Sequence, residues 1–540
     1  MACRRALREA KRAESLLYPF GEKTLIRTIN EVAKNLFMNF AKTSIAVSVI
    51  MTLGYLVSFL KEAIIANYFG VSVEVDAFTI AIQIPVTLFA LVSVAVRSVV
   101  IPLYSDLLYK EGAAAGAHFL DNVISIVGLI AIAMIVVCEI FAGGIIYLFA
   151  PGFDAPTHQL ATMLLRLTLP TMLFTVVGQI FIALLNVHKK FIWPAFSVYI
   201  LSGTVIVFTM LLQHYMGIAA ACLGQVVGSF LYMLFMFVVG RHIYHFRFRY
   251  EPADAQVKRS LKMSVPVIWS ISVAEVNTIV NRAVASFLFA GSIAALGYAS
   301  KINTVFMSLF VSAISTIVYP LYAESSAKDD MKGLNTRVNS TLSAYALLLL
   351  PLMCFLFCFR TEIVEVAFAR GRFDESAVQL TQVLFGCYTV GLLFSAFRVT
   401  ITKVFYSLKD TKTPAKNATI GVLLNIVLNL TLPWFLGVKG LAIATSLSAM
   451  YISMSLLYLL IKRNEMMHLS VFYRNLKGIV LASIILVVCI YVFFYCCGEL
   501  TSLLKLIIGT LVSICIYAGA VFVLRVPIGQ TLMKMLLKRG

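Results

Sequence analysis

The residues with the most chemistry to offer lie at one junction in the chain. Lys61 and Glu62, followed by Ala63, close a hydrophobic run, and after the loop Gly70-Val71-Ser72 comes Asp76-Ala77-Phe78 at the head of the next one. A cation, an anion and a second anion therefore sit where two lipid-soluble segments meet. A charged side chain at bilayer depth costs about 2.5–3.5 kcal/mol on insertion scales, so it turns inward and is usually functional. This set of groups suits the binding of charge: a lysine can face an anionic group while carboxylates hold it in place. The plainer readings are a Lys61–Glu62 ion pair or a snorkelling lysine, and for Asp76 a helix N-terminal charge on free amides. Other intramembrane cations widen the candidate set. Arg166 and Arg398 lie deep in their runs, whereas Arg97, Arg282 and Lys403 lie near helix ends and are expected to snorkel.

The elements that carry these residues follow from composition. Of 540 residues, 61% are apolar and 13% charged, and the mean hydropathy is +0.93. A soluble protein of this length would carry about 25% charge. The chain reads as an all-α polytopic membrane protein, since open sheet edges cannot be satisfied in lipid. Apolar runs near the ~20 residues that cross a bilayer as a helix predict about fourteen spans. They fall near 44–66, 76–103, 121–148, 158–186, 192–212, 217–240, 262–288, 292–322, 340–360, 376–407, 416–436, 440–461, 479–497 and 503–524.

Positive charge sets the orientation. On this arrangement, 32 Lys/Arg fall on the side of the N-terminus and only five on the other: Arg360, Arg370, Arg372, Lys439 and Lys505. Both termini are expected in the cytoplasm. The net charge of +19 then belongs beside anionic lipid and gives no support to nucleic-acid binding. The tail 1–40 carries Arg4, Arg5, Arg8, Lys11 and Arg12, with an apolar helical pattern through Leu25, Ile29, Val32 and Leu36 but no signal-peptide core. It reads as a topology signal or an interfacial amphipathic helix. Ten cysteines are scattered, and Cys354/Cys358 and Cys496-Cys497 have no histidine or acidic companions. No metal, cofactor, disulfide framework or phosphate-cradling loop is expected.

The chain repeats internally. Arg97-Ser98-Val99-Val100-Ile101-Pro102-Leu103-Tyr104-Ser105 recurs in outline as Ser315-Thr316-Ile317-Val318-Tyr319-Pro320-Leu321-Tyr322-Ala323. His188-Lys189-Lys190-Phe191-Ile192-Trp193-Pro194-Ala195 aligns with Leu408-Lys409-Asp410-Thr411-Lys412-Thr413-Pro414-Ala415. Six spans separate each pair, so the copies share one orientation, as in parallel repeats that build two lobes around a midplane site. The expected organisation is a basic tail (1–40), an N-lobe (41–240), a C-lobe (241–463), and two further helices with a basic C-terminal tail (464–540).

The same residues carry a family resemblance. Lys61-Glu62-Ala63, Phe69-Gly70, Asp76-Ala77-Phe78 and Pro85 resemble the first hairpin of the MurJ/MviN lipid II flippases. Ala150-Pro151-Gly152-Phe153 resembles that family's loop between helices 3 and 4, and Ala369-Arg370-Gly371-Arg372-Phe373 its helix 9–10 loop. Phe405-Tyr406-Ser407-Leu408-Lys409-Asp410-Thr411-Lys412-Thr413-Pro414 resembles its helix 10–11 motif. The resemblance implies the fold of the multidrug/oligosaccharidyl-lipid/polysaccharide exporter superfamily and a multi-pass protein of the bacterial cytoplasmic membrane. It implies alternating access to an undecaprenyl-pyrophosphate-linked saccharide, with membrane lipids and cell-wall synthesis enzymes as neighbours of a monomeric carrier. Lys61 and Lys301 stand where the family has cavity arginines, and Asp76 matches its aspartate after the first loop. The implied substrate-binding set is Lys61, Glu62, Asp76 and Lys301, to which depth in the membrane adds Arg166 and Arg398. At two further arginine positions this chain has Tyr55 and Phe89.

Those replacements keep a second cargo open, a capsule, exopolysaccharide or teichuronic-type repeat unit, because fewer fixed cations hold a diphosphate less tightly. A drug/cation antiporter of the same superfamily ranks lower, since interior cations outnumber acids such as Glu139 and Glu275. A membrane scaffold would not need buried cations at all. An enzyme ranks last, because no carboxylate pair, triad or metal cluster converges in the sequence.

Overall fold

The computed structural model describes residues 22–95, 99–463, 467–496 and 500–530, so Arg97 and most of the N-terminal tail lie outside the described residues. Among the described residues every regular element is a helix. Fourteen long ones are numbered here in chain order. In the first half they are α1 (Glu22–Phe69), α2 (Val73–Ala95), α3 (Ala113–Ile140), α4 (Ala155–Val187), α5 (Ile192–Met216) and α6 (Ala219–Gly240). In the second they are α7 (Ala255–Ser286), α8 (Ser292–Ala327), α9 (Met331–Cys358), α10 (Glu375–Ser407), α11 (Lys412–Thr431) and α12 (Val438–Arg463). Two more, α13 (Ser470–Cys496) and α14 (Ser502–Val523), follow. The expected spans are thus recovered as helices, with α4 broken before Pro170 and α10 broken at Gly391.

Apolarity by itself accounts for twelve of the fourteen expected crossings among the described residues. Twelve helices among the described residues are long and apolar enough to cross a membrane; α11 falls short of this, and in α7 the side chains of residues 265–271 lie outside the described residues. The polarity of α11 has an identifiable use: Asn417 donates to the Ile452 carbonyl at 2.9 Å and Asn425 to Ser448 Oγ at 3.0 Å, both on α12. Side chains that bond a neighbouring helix lower the hydropathy of their own without facing lipid.

The repeat is written into the turns. Lys189 and Lys409 both adopt the left-handed conformation at φ 60°, closing α4 and α10 with the same pattern of backbone hydrogen bonds. Gly217 and Gly437 match in the same way, at φ 56° and 57°. Asp154 and Asp374 cap α4 and α10 by accepting from the amides of Thr157 and Ala377.

Packing runs α1 to α5, α5 to α6, α6 to α4 and α4 to α2 in the first half. In the second it runs α7 to α11, α11 to α12, α12 to α10, and α10 to both α8 and α9. The halves meet along a seam where α2 touches α7 and α8, and α1 touches α8. α13 packs on α9 and α14 on α13, outside both sets. Large buried rings such as Tyr232, Phe181, Tyr345 and Phe385 fill the two interiors.

Candidate functional site

α1 presents two faces near its C-terminal end, and the spacing of the sequence decides which residues go where. Ser58, Lys61 and Glu62 fall on one face, three and four positions apart, while Phe59 and Ala63 fall on another. Lys61 Nζ lies 3.0 Å from Glu62 Oε1, and Lys301 Nζ on α8 lies 3.8 Å from the same oxygen. Lys301 Nζ also donates to Ser58 Oγ at 2.9 Å. One carboxylate is therefore shared by two ammonium groups from opposite sides of the seam. All three are mostly buried yet retain access, with 17–29% of each side chain exposed. The local charge is net positive, which suits an incoming anion.

Asp76 works one layer away, toward the end of the bundle that carries Gly70. It is 3% exposed, and its two oxygens accept from the amides of Gly291 and Ala294 at 2.7 Å each. The sequence reading of a helix N-terminal charge is realised on another helix: Asp76 caps α8 across the seam. Arg282 is within electrostatic reach of Asp76 and of Tyr388, so it faces the protein interior.

More backbone contacts close the seam at this end. The Arg372 amide donates to the Asn67 carbonyl at 2.9 Å, and the Gly152 amide to Ser286 Oγ at 3.0 Å. Tyr298 Oη donates to the Gly70 carbonyl at 3.2 Å. Gly371 and Gly152 make these approaches possible: an added Cβ would sit 2.2 Å from the Asn67 oxygen and 2.5 Å from the Ser286 oxygen.

The remaining candidates divide. Arg398 is exposed on α10. Arg166 does not join the lysines. It is half-exposed, its Nε lies 3.3 Å from Glu139 Oε1, and its helical neighbour Met163 is 59% exposed. Depth along the chain misplaced it because depth says nothing about the azimuth of a side chain. Phe89 is a core residue, 2% exposed, and Tyr55 is 40% exposed. Ser58, Asn67, Gly291 and Tyr298 were missed from sequence; only Ser58 had a signal, its helical spacing from Lys61 and Glu62.

On the other face of α1 lies a cavity of about 1040 Å³ whose walls include Phe59, Ala63, Phe306, Phe310, Leu486 and Tyr517, with Arg370 also lining it. α1, α8, α9, α13 and α14 all contribute, so the lysine site and the apolar cavity lie back to back. Elsewhere the fold brings ligand atoms of His118, Glu251 and Asp254 within 4.8 Å of one another, a grouping the sequence spacing did not reveal. Asp254 Oδ1 there already caps α7, accepting from the amides of Gln256 and Val257. The cysteines described are free thiols.

Comparison with known proteins adds the following. The family model described as "Lipid II flippase MurJ" matches residues 65–510. A relative named lipid II flippase MurJ, from Thermosipho africanus, is 31% identical over 478 residues, covering 88% of this chain and 95% of its own. A solved structure described as lipid II flippase MurJ in an inward closed conformation superposes with a TM-score of 0.76 at 28% identity, covering 89% of this chain and 99% of that one. An inward-facing multidrug resistance MATE family transporter of the MOP superfamily shares the fold, with a TM-score of 0.57 at 14% identity over 78% of this chain and 94% of its own.

Proposed function

Since this chain belongs to the lipid II flippase MurJ family, we propose that it carries lipid II, an undecaprenyl-pyrophosphate-linked peptidoglycan precursor, across the bacterial cytoplasmic membrane. The observation that carries this reading is the shared carboxylate: Lys61 and Lys301, one from each half, meet at Glu62 with room left beside them. A diphosphate entering there replaces Glu62 as the partner of two ammonium groups already held in position by Glu62 and Ser58. Charge-assisted hydrogen bonds of about 1.5–3 kcal/mol each would favour it. Arg398 adds a further cation to the route. Behind α1 and α8, the apolar cavity walled by α13 and α14 suits the polyprenyl tail, so head and tail are handled on opposite faces of the same two helices.

The two halves act as lobes, 41–240 and 241–463, with 464–540 as the side wall for the tail. We place both termini in the cytoplasm with fourteen crossings, α7 and α11 included, on the strength of the 32-to-5 charge bias. The Gly70 end is then the outer end, and Asp76 with the two glycine loops holds it shut while the head group enters from inside. Transport requires that seam to part and reclose; no bond of the substrate is made or broken.

The test is replacement of the native flippase in depleted cells by this chain alone. Survival is expected for wild type, Lys61→Arg and Lys301→Arg, and lysis for Lys61→Ala and Lys301→Ala at normal membrane abundance. Full activity of both alanine variants would overturn the site. Lysis with well-expressed wild type would overturn lipid II as cargo and point to another lipid-linked saccharide.

A further inference from the structure

A second groove lies between α9, α10 and α12 of the C-terminal half. Its volume is about 410 Å³, and it is walled by Phe357 of α9, Val383, Gly386 and Phe394 of α10, and Leu447 and Met450 of α12. Phe357, Leu447, Met450 and neighbouring Val390 are each more than two-fifths exposed, so the groove opens toward lipid.

At this groove the repeats differ at one position. The caps Asp154 and Asp374 align α4 with α10 at 220 positions apart, which sets Gly386 opposite Arg166. In the first half that site carries the Arg166 side chain, paired with Glu139. In the second half it carries no side chain at all. A Cβ on Gly386 would come within 3.3 Å of Arg360 Cδ and 3.4 Å of the Phe357 ring.

Charge gathers at the mouth. The Arg360 guanidinium lies 4.9 Å from the Phe357 ring centroid and donates to the Phe357 carbonyl at 2.8 Å. Arg360 lines the groove and Lys439 is within electrostatic reach of Cys387 on its wall; Arg360 is also within reach of Glu362, but among the described residues neither cation forms an ion pair. They are two of only five Lys/Arg on the face placed outside. Just before Lys439, Trp434 and Phe435 are 86% and 84% exposed, the exposure of aromatic side chains in a membrane interface. Two cations, an interfacial aromatic pair and an apolar slot below them match a lipid with an anionic head.

We propose that this groove binds an anionic glycerophospholipid of the outer leaflet, its phosphate on Arg360 and Lys439 and an acyl chain against Gly386. The size lies within the range of ordinary ligand pockets, and the guanidinium offers the forked donor geometry that phosphate accepts. The site is separate from the lysine pair, so occupancy does not depend on the cargo.

The experiment uses the full chain in nanodiscs containing phosphatidylglycerol and phosphatidylcholine, with native mass spectrometry counting the lipid retained. One phosphatidylglycerol should survive delipidation on the wild type. Arg360→Gln/Lys439→Gln should retain it at least tenfold less, and Gly386→Leu, which fills the slot but keeps both charges, should lose it too. Should the double variant fail to accumulate, Lys439→Gln alone reads the same loss on an exposed side chain. Equal retention of the two lipids by the wild type would overturn the proposal. So would unchanged retention in the variants, or capture of a polyprenyl diphosphate probe at a photoreactive residue placed at Val390.

Discussion

The starts of α2 and α8 occupy the same place in the two halves and are capped in different ways. α2 is served locally, with Ser72 Oγ accepting from the Val75 amide at 3.4 Å. α8 is served from across the seam, by both oxygens of Asp76. A helix capped by its own loop keeps that bond however the halves move. A helix capped by the other half loses it when they part, so α8 carries a cost of opening that α2 does not. Around this inequality the loops are matched: 150–153 grips Ser286 of α7, and 369–373 grips Asn67 of α1. The pseudosymmetry therefore supplies the grip, and the departure from it supplies the part sensitive to charge.

That contrast can be broken in order of expected effect. Gly371→Val should do the most, since φ of +59° and an oxygen 2.2 Å from the new Cβ leave no room for a side chain. Labelling of cysteines placed beside Asn67 should rise in intact cells as the outer end opens, and transport should fall at least tenfold. Gly152→Val should act in the same direction; if only one of the two opens the seam, the loops are not equivalent.

Asp76→Ala should come next. It removes two hydrogen bonds to a carboxylate, each worth about 1.5–3 kcal/mol, from the closed state alone. Ser72→Ala removes a local cap and should cost about 1 kcal/mol of stability with no change in outer accessibility. Equal behaviour of the two in a labelling assay would remove the distinction between local and remote caps.

A smaller effect is expected at the opposite end of the bundle. Asp410 bonds the hydroxyl and amide of Thr413 and pairs with Arg463, whereas the first half has Lys190 at the matching place. These bonds, the Thr413 hydroxyl first, hold the Asp410 carboxyl below its ordinary range. Its contribution is present above the ordinary carboxylate pKa and is lost as pH falls through the lowered value. Protection of the 408–413 amides, corrected for the slower intrinsic exchange in acid, should fall as the pH drops below the ordinary carboxylate range, while that of 188–193 should not.

The smallest effects belong to the paired turns. Lys189→Gly and Lys409→Gly each relieve a left-handed residue while loosening the unfolded chain, so each should shift stability by less than about 1 kcal/mol. The two shifts should agree, since the turns share φ 60° and a hydrogen-bond pattern. A thermal-unfolding difference of several degrees between them would show that their surroundings are not equivalent.

Much of this was legible in the chain. Hydropathy and period gave the long helices, because a helix in lipid must satisfy its backbone internally and be apolar outside. It failed for α11, whose Asn417 and Asn425 serve α12 in a way no single-segment average can register. Motif order gave the family, and the repeated Lys189 and Lys409 turns gave its two-fold plan. Lys61, Glu62 and Lys301 stood out because charge is rare in such segments. What required the tertiary structure was direction and partnership. Lys301 meets Glu62 across 239 positions of sequence, Asp76 caps α8 instead of its own helix, and Arg166 turns to Glu139. A sequence records how far along a helix a charge lies. Whether that charge meets a cavity, another ion or lipid depends on the rotation of the helix in the bundle, which packing against its neighbours alone decides.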